Sequence, residues 1–313
     1  MKLYKLLFII LLLSVGCSEN KIKLPEETVK KDSSDSKKNT PDISKPYKYA
    51  IAVYDCPVLN TFKFKEVYGG KSGSSLQKSS SGLVKPLEFV AYPGTVFEII
   101  DSVKNEGTLI YKVKTDEYPI ILEGDNLYID SRFVKLSNDN TETLKKECPS
   151  KDYIYDYFDK AENAFYVWGA NNVNGINKML EFYPPSGKLN SEDELTWEMK
   201  GLDCSGLIYE ATNAYSPRNT HQLVNFGNPV EIKGLSASQI KSKLKPLDII
   251  VWKGHVIVVY DENTTIESSH SAGGVVKKDL LSSLNKLMQK RIPENKWNDN
   301  NKNSFVVRRW FKE

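Results

Sequence analysis

Asp203-Cys204-Ser205-Gly206-Leu207-Ile208-Tyr209-Glu210-Ala211, followed downstream by Leu247-Asp248-Ile249-Ile250-Val251-Trp252 and His255-Val256-Ile257-Val258-Val259-Tyr260, decides the fold. Asp203 is a suitable N-cap, and Cys204, Ile208, Ala211 and Tyr215 recur at helical spacing, so a helix opens at Cys204. The two later runs are rich in β-branched residues and are split by Lys253-Gly254. Asp261-Glu262-Asn263 then turns the chain back through Thr264-Thr265-Ile266-Glu267. A helix followed by antiparallel strands predicts an α+β domain. Polar and aromatic residues between Asp152 and Ala164 predict a helix leading into it.

Outward from there, the region from Tyr49 to about Leu136 is a series of short β-rich runs. They include Thr95 to Ile100 after Pro93-Gly94, Leu109 to Val113 after a turn at Asn105-Glu106-Gly107, and Leu127 to Asp130. This predicts a small all-β domain, with the Ser/Gly/Lys stretch Gly69 to Gly82 as an exposed loop. Cys56 and Cys148 bracket it; they either pair in an oxidising compartment or remain thiols. At the N-terminus, Lys2 and Lys5 precede the apolar run Leu6 to Leu13, and small residues lead to Cys17. The run is too short to span a bilayer and has the form of a secretory signal. Residues 18 to 48 are Lys-, Glu-, Ser- and Pro-rich with few large apolar side chains, the composition of a flexible tether.

The 313 residues carry 43 Lys and Arg against 40 Asp and Glu, so composition offers no basic face for nucleic acid. Three histidines, none at finger or helical spacing, argue against a metal centre, and four cysteines are too few for a disulfide scaffold. Nucleophilic chemistry is the opening that remains. A cysteine in the first turn of a helix feels unsatisfied N–H groups and the positive end of the dipole, which favours the thiolate. It needs a general acid for the leaving amine, and His255 on a later strand is the candidate. A third group must orient the imidazole. Glu267 and His270 are candidates, and alternation prevents both from facing one side of a continuous strand. His255 and Glu267 are symmetric about Asp261, so a hairpin centred there sets them directly across from each other and favours Glu267.

Tyr166-Val167-Trp168-Gly169, Asp203-Cys204-Ser205-Gly206, Pro217-Arg218, the Lys-Pro-Leu-Asp turn at 245–248 and Gly254-His255-Val256 occur in one order. Together they resemble the NlpC-type cell-wall peptidases, a papain-like family, over roughly Ala161 to Trp310. The segment before Cys17 resembles a bacterial lipobox, and the Pro-Gly start and Tyr-Ile-Asp-Ser-Arg close of the β region resemble bacterial SH3-like domains. The resemblance implies residues 1–16 as a lipoprotein signal peptide and 17–48 as lipidated Cys17 and tether. It further implies 49–140 as an SH3-like β barrel and 150–313 as the NlpC-type catalytic domain.

Residue by residue, the resemblance implies Cys204 as nucleophile, His255 as general base and acid, and Glu267 in a third position more often held by His. It implies Tyr166 and Trp168 at the substrate groove, with the Tyr166 hydroxyl approaching the nucleophile. Asp203 and Ser205 would hold the free amine of a stem peptide, and Thr220 would border the groove. Leu247 and Ala170 stand where the family usually has glycine, and the insertion from Asn171 to Leu202 is expected at the mouth of the groove. The implied protein is an exported, lipid-anchored, monomeric thiol peptidase of the bacterial cell envelope. It would cut peptidoglycan stem peptides at the γ-D-glutamyl-diaminopimelate bond without a cofactor. An N-acetylmuramoyl-L-alanine amidase with the same residues and a catalytically silent wall-binding lipoprotein are the alternatives.

Overall fold

The computed structural model describes residues 47–119, 125–140 and 146–312. The signal segment, the lipobox with Cys17 and nearly all of the tether lie outside the described residues. No helix among the described residues is long and apolar enough to cross a membrane.

Among the described residues of the first half, short runs of β-branched and aromatic residues form the seven strands of the main sheet: β1 (Tyr49–Ala52), β2 (Cys56–Leu59), β3 (Leu87–Ala91), β4 (Val96–Asn105), β5 (Thr108–Lys114), β6 (Leu127–Asp130) and β7 (Val134–Ser137). They make one antiparallel sheet in the order β3-β2-β6-β5-β4-β1-β7. Register shifts after Ile99 and Val58 bend it around a core that includes Phe89, Phe97, Ile110, Ile129 and Phe133. The expected SH3-like barrel is not found, because β3 and β7 stand at opposite ends of the pairing path and do not close it. The free edge of β3 is used otherwise. The Asn171 side chain accepts from Val90 N–H at 3.1 Å and donates to Val90 C=O at 3.0 Å, so one amide continues the ladder where another strand would pair.

The second half opens with α1 (Lys151–Ala161), capped by Ser150 and burying Ile154, Phe158 and Ala161 at helical spacing. Next comes α2 (Cys204–Ala211), apolar nearly all round and correspondingly buried. It is shorter than the sequence pattern suggested. Asn213 and Ala214 take positive φ, the chain leaves the helical path, and Tyr215 lies beyond the end. Strands β8 (Asn228–Val230), β9 (Ile249–Trp252), β10 (His255–Val259), β11 (Thr264–Ser269) and β12 (Gly274–Asp279) precede α3 (Leu280–Met288) and β13 (Ser304–Arg309). The sheet runs β8-β13-β9-β10-β11-β12 with antiparallel pairing along this path, and Ile292–Pro293 pairs parallel with β13 off it. Alternation sends Ile249, Val251, Val256 and Val258 toward α1 and α2, and Ile250, Ile257 and Val259 toward α3. This is an α+β arrangement with helices on both faces of the sheet.

Leu247 keeps the left-handed turn that glycine usually serves. Its φ is 69°, its side chain is fully buried, and its N–H donates to Val259 C=O at 2.8 Å. Left-handed backbone costs a non-glycine residue about 1–2 kcal/mol, whereas burying a leucine gains about 1.5–3 kcal/mol, so the side chain holds the turn. Ala170 needs no such accommodation, since it is not among the residues with positive φ. Cys56 is buried and Cys148 exposed, both as free thiols, so no disulfide closes the β region.

The insertion from Asn171 to Leu202 is placed differently from expectation. Its helices, Lys178–Phe182 and Ser191–Trp197, put Met179, Tyr183, Trp197 and Met199 into the core of the first half, against Phe64, Val67 and Tyr68. Tyr183 Oη donates to the buried Asp130 at 2.5 Å, and Trp197 Nε1 donates to Tyr183 C=O at 2.8 Å. The stretch read as an exposed loop includes a small hairpin, Tyr68–Gly69 with Ser75–Leu76, and Gly73 C=O accepts from Ser186 N–H of the insertion at 2.7 Å. Pro46–Glu313 is accordingly one compact unit.

Arg218, 1% exposed, ties these parts together. Its Nε donates to Asn171 Oδ1 at 2.9 Å, and Nη1 donates to Asp203 Oδ1 at 3.1 Å and Ser205 Oγ at 2.8 Å. Nη2 donates to Asp203 Oδ2 at 2.9 Å, Gly169 C=O at 2.8 Å and Ala170 C=O at 3.3 Å. Removing one member of a buried pair strands the other charge. Arg218→Met is expected to lower the unfolding free energy by about 3–5 kcal/mol, with Arg218→Met/Asp203→Asn recovering part of it. Urea unfolding checks this; a single-variant midpoint equal to the parent's would contradict it.

Candidate active site

Cys204 is the first residue of α2, and Asp203 caps that helix by accepting from Gly206 N–H at 2.6 Å. The cap fixes where the helix begins and therefore where the half-buried Cys204 side chain stands. His255 is the first residue of β10, just after the turn in which Gly254 takes φ 110°. Thr220 Oγ1 accepts from Gly254 N–H at 2.9 Å, so this threonine holds the turn that delivers His255. The Trp252 ring lies against the imidazole, with centroids 5.2 Å apart.

His255 Nε2 meets Glu267 Oε2 at 2.5 Å. The expected direct opposition is not what joins them. Val258 pairs with Ile266 and Val259 with Thr265, which centres the hairpin on Glu262 rather than Asp261. In that register Glu267 falls opposite Ile257, two residues from His255. Because side chains alternate with period two, Glu267 stays on the face of His255 and reaches it diagonally. The bond at Nε2 leaves Nδ1 as the ring nitrogen that can exchange a proton with Cys204. His270 is exposed in the turn after β11 and packs against Tyr166, with ring centroids 5.6 Å apart.

The electrostatics follow from these contacts. Burial disfavours a charged imidazole, yet Cys204 and Glu267, through hydrogen bonds and charge, outweigh it and push His255 up to about 10. Burial likewise opposes the Glu267 carboxylate, but His255 and Lys278 hold it below the usual glutamate range. Burial raises the Tyr166 hydroxyl well above its ordinary value, and the charges of Asp203 and Cys204 add to that.

Asp203 and Ser205 are committed elsewhere. Asp203 accepts from Gly206 N–H, Ser205 Oγ, Gly169 N–H and two Arg218 nitrogens, which uses up a carboxylate's roughly four lone-pair sites. Ser205 Oγ also accepts from Arg218. Trp168 is half-buried, with the Lys85 ammonium 3.0 Å from its ring centroid. The structure therefore brings Cys204, His255, Glu267 and Tyr166 together, and sets Asp203, Ser205 and Thr220 behind them as supports.

Beside Gly254 and His221 opens a cleft of about 840 Å³ whose other wall comes from the first half of the chain; Cys204, His255, Glu267 and Tyr166 are not among its lining residues. Asn60, Glu88, Tyr118 and Leu127 face Lys253 and Trp297 across it, and no residue of the insertion lines it. Glu88 accepts from Asn60 Nδ2 at 2.7 Å and from Tyr118 Oη at 3.0 Å, and Tyr118 stacks on Phe89 at 5.0 Å. Glu88 and Tyr118 follow no local pattern in the sequence and come to this wall only through the fold. Sequence reading also misses Lys278, which strand alternation from Glu267 could have suggested.

No family model matches the chain, and no curated protein matches it. Among solved structures it is similar to an NlpC/P60 family protein from Bacillus cereus, at 13% identity and TM-score 0.32, over 84% of this chain and 63% of that one. It is similar to the peptidoglycan hydrolase RipB from Mycobacterium tuberculosis, at 19% identity and TM-score 0.31, over 52% of this chain and 65% of that one. The P60 domain of an antigen from M. avium subspecies paratuberculosis matches at 17% identity and TM-score 0.30, over 50% of this chain and 92% of that one. The chain thus spans under two thirds of the first two proteins.

A raised His255 keeps its proton through neutral pH and loses it as pH rises through about 10. Removing the Glu267 charge takes away one stabiliser of the imidazolium, so in Glu267→Gln the His255 midpoint is expected to fall by about one to three pH units. Selective histidine labelling and NMR titration read this directly, since the chain has three histidines. An unchanged midpoint would show that the carboxylate does not act on the imidazole.

Proposed function

We propose that the protein is an exported cysteine peptidase of the bacterial cell wall that hydrolyses peptidoglycan stem peptides. The observation that carries this reading is an imidazole acted on by Cys204 and Glu267 beside the start of a capped helix. The Cys204 thiolate attacks the scissile carbonyl, and the oxyanion is held by a backbone N–H at the start of α2 and by the Tyr166 hydroxyl. His255 delivers its Nδ1 proton to the departing amine as the C–N bond breaks, leaving a thioester on Cys204. Water, deprotonated by the now neutral His255, then attacks the thioester, releasing the acyl group as a carboxylic acid and restoring the thiolate beside the protonated imidazole.

The bond we favour is γ-D-glutamyl to diaminopimelate, in a peptide that presents a free amine. For that amine we assign Glu88 and Tyr118, which line the neighbouring cleft together with Lys253 and His221. The commitment of Asp203 and Ser205 to Arg218 favours, as a second reading, an amidase that needs no amine site and cuts muramic acid from L-Ala. In this proposal Cys17 carries a diacylglyceryl anchor, so Cys17→Ser moves the protein from the detergent phase to the aqueous phase on Triton X-114 partitioning. Unchanged partitioning would remove the anchor from the proposal.

Mass spectrometry of muropeptides and free L-Ala-γ-D-Glu-diaminopimelate, incubated with the full chain or with Cys204→Ala, tests the function. Release of L-Ala-γ-D-Glu by the parent, with loss to background in the variant, is the expected outcome. New L-Ala amines on intact glycan chains would select the amidase. Equal cleavage by Cys204→Ala would overturn the mechanism, and no cleavage by the parent would overturn the function.

A further inference from the structure

The carboxylate that grips His255 has a second partner. Lys278 Nζ donates to Glu267 Oε1 at 2.6 Å, on the oxygen that His255 leaves free. Thr265 pairs with Lys278 and Glu267 with Val276, so Lys278 is two positions along from the residue opposite Glu267. That is the same diagonal step by which Glu267 reaches His255. Three successive strands thus carry an imidazole, a carboxylate and an ammonium in one file. Alternation also separates Lys278 from its neighbour, since Lys277 turns to the other face and pairs with Asp159 of α1 at 2.8 Å.

We infer that Lys278 is a positioning residue of the reaction centre, which fixes the Glu267 carboxylate and offsets its charge so that His255 can release its proton. This rests on the peptidase reading. The charged and titratable groups bearing on the pair are Cys204 from α2, Glu267 from β11 and Lys278 from β12; Arg291 lies over the Trp252 ring, 4.8 Å from its centroid. With its charge unopposed, Glu267 (7% exposed) would bind the imidazolium too firmly. An imidazolium held too firmly is a weaker acid toward a leaving amine. Lys278 divides the carboxylate between two cations and keeps it ionised.

Removing Lys278 is therefore expected to strengthen the hold on the imidazolium. In a Cys204→Ala background, which takes the thiol out of the titration, Lys278→Met is expected to raise the NMR midpoint of His255 by roughly one pH unit. Lys277→Met makes the same charge change on the other face and is expected to leave the midpoint in place. With Cys204 restored, Lys278→Met is expected to lower kcat roughly tenfold with little change in KM, and Lys278→Arg to recover most of the loss.

An unchanged or lowered midpoint in Lys278→Met, or an equal rise in Lys277→Met, would overturn the inference. If the midpoint rises but the full-length parent cleaves no stem peptide, the peptidase reading fails while the control of His255 by Lys278 stands.

Discussion

The buried pair of Arg218 and Asp203 is the constraint on which the rest of the structure hangs. Every N–H of the guanidinium has an acceptor, and those acceptors belong to two separate parts of the chain, residues 169–171 and 203–205. Asp203 sets the start of the helix that carries Cys204, Gly169 and Ala170 form the turn behind it, and Asn171 reaches the edge of β3. A charge pair this deep gives little net stability compared with apolar side chains of the same volume. What it supplies is position, because a fork of fixed geometry tolerates one arrangement of its partners. The nucleophile is thereby located relative to the first half of the chain as well as its own sheet.

This connection explains why the cleft has walls from both halves. The Asn171 amide bonds the edge of β3, and Glu88 and Phe89 lie on that same strand, so the side chains lining the cleft are fixed by the contact that blocks the edge. Across the cleft, Thr220 stands two residues after Arg218 and holds the Gly254 turn. One short segment, Arg218 to Thr220, thus fixes both the helix that presents Cys204 and the turn that presents His255.

The parts of this arrangement that were legible in the sequence are those governed by local rules. A cap residue before an apolar run placed the start of α2 at Cys204, and β-branched runs split by Lys253-Gly254 marked β9 and β10. The pairing of His255 with Glu267 was reached through a register off by two residues, and the error was harmless because side chains repeat every two residues along a strand. Helical spacing includes Tyr215 because apolar periodicity carries no sign of where a backbone turns left-handed. Short strands and turns predict an all-β region, and its resemblance to SH3-like domains implies barrel closure, but closure depends on what occupies the outer edge of β3. That occupant, Asn171, is far away in sequence and looks like an ordinary polar loop residue. Glu88, Tyr118 and Arg218 acquire their significance in the same way, from partners brought together only by the fold.

The placement of the insertion also bears on how the molecule is assembled. A chain is synthesised from its N-terminus, so all seven strands of the first sheet are complete well before Met179, Tyr183, Trp197 and Met199 emerge. Until they arrive, Phe64, Val67 and Tyr68 lack part of their cover, and Asp130 lacks the tyrosine hydroxyl that joins Arg132 in satisfying it. The first half is therefore an unfinished body during biogenesis, an apolar surface awaiting its lid, and its exposure ends only when the chain has passed the insertion. Recombination that exchanged the β region for one from another protein would have to carry the insertion with it.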